Sequence, residues 1–130
     1  AALYTGDAFH FDWSGDTLDR VKAFRAENIV GGRGAVCRGL AASDAAIEQT
    51  RGFLKTMIAE VGAVHQRGGT LKQAFEAAHA TLAPQFGRWP IFEHCLPFDV
   101  QRLWDEMDGI DWPRIWTMAR DREVWAELQD

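Results

Sequence analysis

Asp7, His10 and Asp12 fall within six residues of the stretch TGDAFHFD. Two carboxylates and an imidazole are the donor set of zinc or another first-row divalent metal. The stretch follows a short apolar step, Leu3-Tyr4-Thr5, and α/β proteins place their sites at strand ends. The competing reading has Asp7 capping a turn and His10 packing among Phe9, Phe11 and Trp13. A second stretch, NIVGGRG, crowds Gly31, Gly32 and Gly34 around Arg33. Glycines this dense are costly unless the backbone turns sharply or passes close to something. A phosphate cradle would need the Walker spacing with its Lys-Ser/Thr, or the dinucleotide fingerprint, and neither is present. A structural turn is the simpler reading. A third stretch, FEHCLPFD, sets His94 beside Cys95. A thiolate with a histidine is a nucleophile arrangement, but chain neighbours rarely point at each other. A lone Cys among Phe92, Leu96 and Phe98 suits a core. His65 and His79 sit at the edges of apolar helical stripes.

The elements that must position these residues follow from periodicity. Leu3 to Thr5 reads as a strand ending at Gly6-Asp7. Asp16 can cap a helix bearing Leu18, Val21 and Phe24. Asn28 to Val30 reads as a second strand, so residues 1–40 suggest a βαβ unit. Residues 41–130 read as helices within the same single domain. Ser43 or Asp44 caps a long helix with Ile47, Leu54, Met57, Ile58 and Val61 on one face, stopped at Gly68-Gly69. TLKQ is a capping box, with Thr70 as cap and Gln73 reaching back. Its helix carries Leu71, Ala74, Phe75, Ala78 and Leu82 and is expected to end before Pro84. Pro97 suits the first turn of a helix bearing Val100, Leu103, Trp104 and Met107, closed by Gly109. Val124, Trp125 and Leu128 mark a last helix. The expected class is helix-rich α/β.

The totals narrow the partners. The 130 residues suit one core, and the net charge is -5. No basic run stands out, which argues against nucleic acid as a partner. No apolar run approaches the roughly 20 residues of a membrane span, and no signal peptide is read. The two cysteines, Cys37 and Cys95, do not make a disulfide framework. Free thiols in a cytoplasm are the expected state. Of six tryptophans, five lie at or after Trp89, so the C-terminal third carries large apolar surfaces that need burying.

Read together, LYTGD, a helix-sized interval, IVGGRG and the long helices resemble the C-terminal half of a metallo-β-lactamase-fold hydrolase. FEHCLPFDVQRLWDEM and RIWTMARDREVWAEL resemble the helical tail of one bacterial branch. The resemblance implies that Asp7 stands where the family has a metal-bridging Asp. It also implies that Gly32-Arg33-Gly34 replaces a Gly-His-Gly whose His binds metal. Arg holds no free lone pair near neutral pH and cannot take that place. The family's His-x-His-x-Asp-His cluster, carried by the first half of its αββα sandwich, is not in this chain. The expectation is half of such a sandwich, beginning inside a larger fold.

Two classes of function follow. In one, Asp7, His10, Asp12 and His94 hold a zinc ion in a rebuilt site, with Gly32, Arg33 and Gly34 alongside. The chain then hydrolyses a small activated ester or phosphoester. In the other it is a non-catalytic truncated or assembly module. A Cys-His hydrolase built on His94 and Cys95 is a further alternative. A half-sandwich leaves one apolar face bare, so a homodimer is the expected assembly.

Overall fold

The computed structural model describes residues 4–129. It is helix-rich, as the periodicity predicts, and carries one small two-stranded sheet. α1 (His10–Asp12), a π-helical stretch (Trp13–Thr17) and α2 (Leu18–Ala23) follow without a break. Strands β1 (Asn28–Ile29) and β2 (Cys37–Arg38) come next. Helices α3 (Leu40–Gln66), α4 (Leu71–Phe86), α5 (Phe92–Met107) and α6 (Met118–Gln129) complete the described order. No helix among the described residues is long and apolar enough to cross a membrane.

α3 is the spine. Its 27 residues extend about 40 Å at 1.5 Å per residue. It begins earlier than Ser43 or Asp44 would set it, because Gly39 takes φ +87 and Leu40-Ala41-Ala42 are strong helix formers. Ser43 is then buried one turn inside. The far end closes as read. Gly68 is left-handed at φ +72, its N–H reaches His65 O at 3.0 Å, and Gly69 N–H reaches Val64 O at 3.0 Å. This is a Schellman closure. A Cβ at Gly69 would lie 2.5 Å from Val64 Cγ1, so the turn also needs glycine for space. Thr70 and Gln73 form the capping box in both directions. α3 and α4 thus pack as a helical hairpin.

The core lies between α3, α4 and α5, with α6 against α4. Leu54, Met57, Val61, Ala74, Ala78, Leu82, Leu96, Val100 and Leu103 are fully buried. Spacings of three, four and seven put each set on one stripe. Phe53, Phe86 and Trp89 close one end, with ring centroids 5.2 Å (Phe53 to Phe86) and 4.6 Å (Phe86 to Trp89) apart. Phe86 gets there because α4 continues past Pro84. A proline in the last turn gives up only one intrahelical bond. α5 likewise starts at Phe92, after Ile91 in the left-handed region at φ 58, so Pro97 lies inside the helix.

The sheet departs from the βαβ expectation. Tyr4 and Thr5 are not in a strand, and Leu3 lies outside the described residues. β1 pairs with β2, antiparallel, with Asn28 opposite Arg38 and Ile29 opposite Cys37. The glycine loop is therefore the tip of a hairpin, not the end of a parallel crossover. Thr5 gives its N–H to a side chain of α5 instead of a neighbouring strand. Asp16 falls inside the π-helical stretch and caps nothing.

Leu54→Ala should lower stability by about 2–5 kcal/mol, the range for emptying a packed site. Phe24→Ser, at a ring 81% exposed, should stay within about 0.5 kcal/mol. Urea midpoints of the two variants check this contrast.

Candidate functional site

Asp99, Arg102 and Glu106 are spaced three and four along α5 and share one face. Asp99 and Arg102 are buried among apolar neighbours, and Glu106 is half-buried. Buried polar groups must find partners, and these find the backbone of one loop, Thr5 to His10. Thr5 N–H donates to Asp99 Oδ1 at 2.6 Å. Arg102 Nε donates to Ala8 O at 2.8 Å. His10 N–H donates to Glu106 Oε1 at 2.9 Å. Trp116 Nε1 donates to Gly6 O at 3.0 Å, and Ala8 N–H turns back to Thr5 O at 3.0 Å. Arg102 also holds the Ile110 and Asp111 carbonyls, at 2.9 and 3.0 Å.

The Trp116 end is tied down in the same way. Asp105 accepts from Gln101, from Arg114 at 2.6 Å and from Arg120 at 2.7 Å. Arg120 in turn lies over the Trp116 ring, 4.1 Å from its centroid.

His10 is fully buried inside this clamp. Its Nδ1 meets Glu106 Oε2 at 2.5 Å and its Nε2 meets Thr5 Oγ1 at 2.8 Å. The neutral tautomer that satisfies both has Nδ1–H donating to Glu106 and Nε2 accepting the Thr5 hydroxyl proton. Carboxylate, imidazole and hydroxyl in a row is the order of a nucleophile relay. Here Thr5 and His10 are both 0% exposed, so no substrate reaches the hydroxyl, and the row serves to hold the loop. The packing alternative for His10 is thus realised in a polar form, and its two nitrogens are not free for a metal.

Asp7 is the exception in the loop. Its side chain is exposed, and among the described residues its carboxylate makes no hydrogen bond or ion pair. Asp12 is exposed beside an open cleft of about 240 Å³ walled by Phe9, Phe11 and Ile110. His94 is exposed on the first turn of α5, its ring 5.6 Å from that of Phe98. Phe98 also faces Tyr4, at 6.4 Å. Among the described residues no three His, Cys, Asp or Glu side chains converge to hold a metal ion. The described residues of one chain therefore do not fit zinc by themselves.

Gly34 has φ +86, which explains that glycine, whereas a side chain at Gly32 would meet nothing. Burial pushes the Cys95 thiol up, Asp99 adds to this, and the Arg33 charge pulls it partly back. Arg33 thus lies within electrostatic reach of the start of α5. A raised thiol works against Cys95 as a thiolate nucleophile.

Asp99, Glu106, Arg102 and Thr5 escaped the sequence reading. The signal was present in FDVQRLWDEM: charges at 99, 102 and 106 fall among Val100 and Leu103, on positions that a purely apolar stripe would fill. No protein-family model matches the chain, and no curated protein matches it at a significant level.

Burial holds the Asp99 carboxyl up at about 8, against the opposing bonds from Thr5. Between the unfolded value near 4 and about 8, the unfolded chain releases this proton while the folded chain keeps it. Stability conferred by the neutral form is complete below the unfolded value and falls as pH rises through that window. Asp99→Asn keeps an acceptor for Thr5 N–H and removes the titration. Urea midpoints at pH 5 and pH 8 should differ less in Asp99→Asn than in the parent chain.

Proposed function

We propose that the chain is a hydrolase-related protein of the metallo-β-lactamase kind, acting on an activated ester or phosphoester. In this reading Asp7 is its contribution to a metal-dependent site completed between chains. The observation that carries the reading is the clamp on residues 5–10. Four hydrogen bonds from α5 and Trp116 fix the backbone on both sides of one exposed carboxylate that has no partner among the described residues. A structure commits buried charges to a loop most usefully where the presented group must stay in place. Asp7 is also the residue at which the sequence resembles the family's bridging ligand. Asp12 and His94 are exposed donors of the right kind, and a second copy would bring further ones. Zinc is the proposed ion and a homodimer the proposed assembly.

The non-catalytic reading has its own support. Trp112, Ile115, Phe24 and Val30 are 77–84% exposed, apolar side chains that a partner chain would cover.

Hydrolysis of a p-nitrophenyl ester and of p-nitrophenyl phosphate, with and without added zinc, separates the two. The hydrolase reading expects zinc-dependent turnover that Asp7→Ala lowers by about 100-fold or more. Turnover that Asp7→Ala leaves unchanged, or none in either protein, favours the assembly module. Sedimentation at micromolar concentration should show a dimer; a stable 14.6 kDa monomer would remove the shared site.

A further inference from the structure

The loop that presents Asp7 also builds one wall of an open pocket of about 310 Å³, lined by Tyr4, Asp7, Ala8, Phe9, Trp13 and Thr17. Three of the six are aromatic, and the one charge is a carboxylate without a partner among the described residues. Tyr4 is 40% exposed and Phe9 38%, so both rings face water as well as the pocket. Tyr4 is brought over the loop by the absence of a side chain at Gly6. A Cβ there would lie 2.7 Å from the Tyr4 hydroxyl oxygen. The phenol of Tyr4 is raised, first by burial and next by the Asp7 charge, which agrees with Asp7 standing close to it. Phe9 already receives the Arg102 guanidinium, 5.4 Å from its centroid. That ring thus already makes one cation–π contact within the protein.

We propose that this pocket binds an organic cation, a trimethylammonium or alkylammonium head, between the rings of Tyr4, Phe9 and Trp13 and against the Asp7 carboxylate. Aromatic rings attract a cation within about 6 Å through their quadrupoles, and most strongly when the cation sheds little hydration, as a quaternary ammonium does. An anion in the same pocket would face Asp7, and a neutral apolar group would leave the carboxylate uncompensated. The walls need little ordering on binding, because Gly6 O, Ala8 O and His10 N–H are already held. The inference goes beyond the hydrolase reading and shares only Asp7 with it. A metal ion on Asp7 and a cation in the pocket would compete for one carboxylate.

Choline titrated into the metal-free protein, in EDTA at constant ionic strength, tests this through tryptophan fluorescence and amide chemical shifts. Saturable binding is expected. The neutral isostere 3,3-dimethyl-1-butanol should bind about tenfold or more weakly, since it lacks only the charge. Tyr4→Leu and Asp7→Asn should each weaken choline about tenfold with the far-ultraviolet circular dichroism kept. Gly6→Ala should weaken it by pushing Tyr4 out. Equal binding of choline and its isostere, a titration without saturation, or choline affinity indifferent to Tyr4→Leu and Asp7→Asn overturns the proposal. Because the metal is removed, a failure here leaves the zinc-dependent assay to be judged by itself.

Discussion

Arg102 organises the molecule. Its guanidinium is fully buried, yet it donates to three backbone carbonyls, Ala8 in the first loop and Ile110 and Asp111 in the segment after α5. A lysine could not span them, because the three bonds use the fixed fork of a planar group. Around this side chain the first loop and the segment after α5 are laid on one helix face. Of the four hydrogen bonds that hold the loop carrying Asp7, this side chain supplies the one to Ala8 O.

Such an arrangement is costly unless complete. A buried charge without partners destabilises by several kcal/mol, while a fully bonded one is tolerated. Arg102 has its carbonyls and Glu106 at 3.8 Å, and Asp105 has three donors. Asp99 differs: burial favours its neutral form, and while Oδ1 accepts from Thr5 N–H, its buried Oδ2 has no partner among the described residues. The network therefore specifies one loop conformation more than it adds stability.

The helical part was legible because its signals are local and redundant. Leu71, Ala74, Ala78 and Leu82 repeat at helical spacing, Thr70 and Gln73 cap the same helix, and Gly68-Gly69 close the one before. Each signal would locate the boundary alone. The sheet was not legible, because two-residue strands carry no periodicity and pairing is decided by what lies across the glycine loop. The starts of α3 and α5 were misjudged where Gly39 and Ile91 adopt positive φ, a backbone state that residue type hardly announces for isoleucine. At the site, Asp7 and His10 offer similar chemistry, and among the described residues only Asp7 lacks a side-chain partner. What distinguishes them is Glu106, 96 residues away along the chain, whose approach no local pattern reveals.

The π-helical stretch from Trp13 to Thr17 holds a wider turn than the helices around it. Its Ser14 and Gly15 carbonyls are taken by Arg51 of α3, at 2.6 and 3.2 Å, so the widening is supported from outside. A π turn contains one residue more than an α turn. That extra residue sets the phase between two faces: Trp13 toward the aromatic pocket, Leu18 into the core. Removing a single residue there would restore ordinary winding, and because the wide turn absorbs that residue, the turns on either side would keep their phase. These five positions are thus where the helix takes up one residue more than its neighbours use, with Arg51 answering the carbonyls of the wide turn.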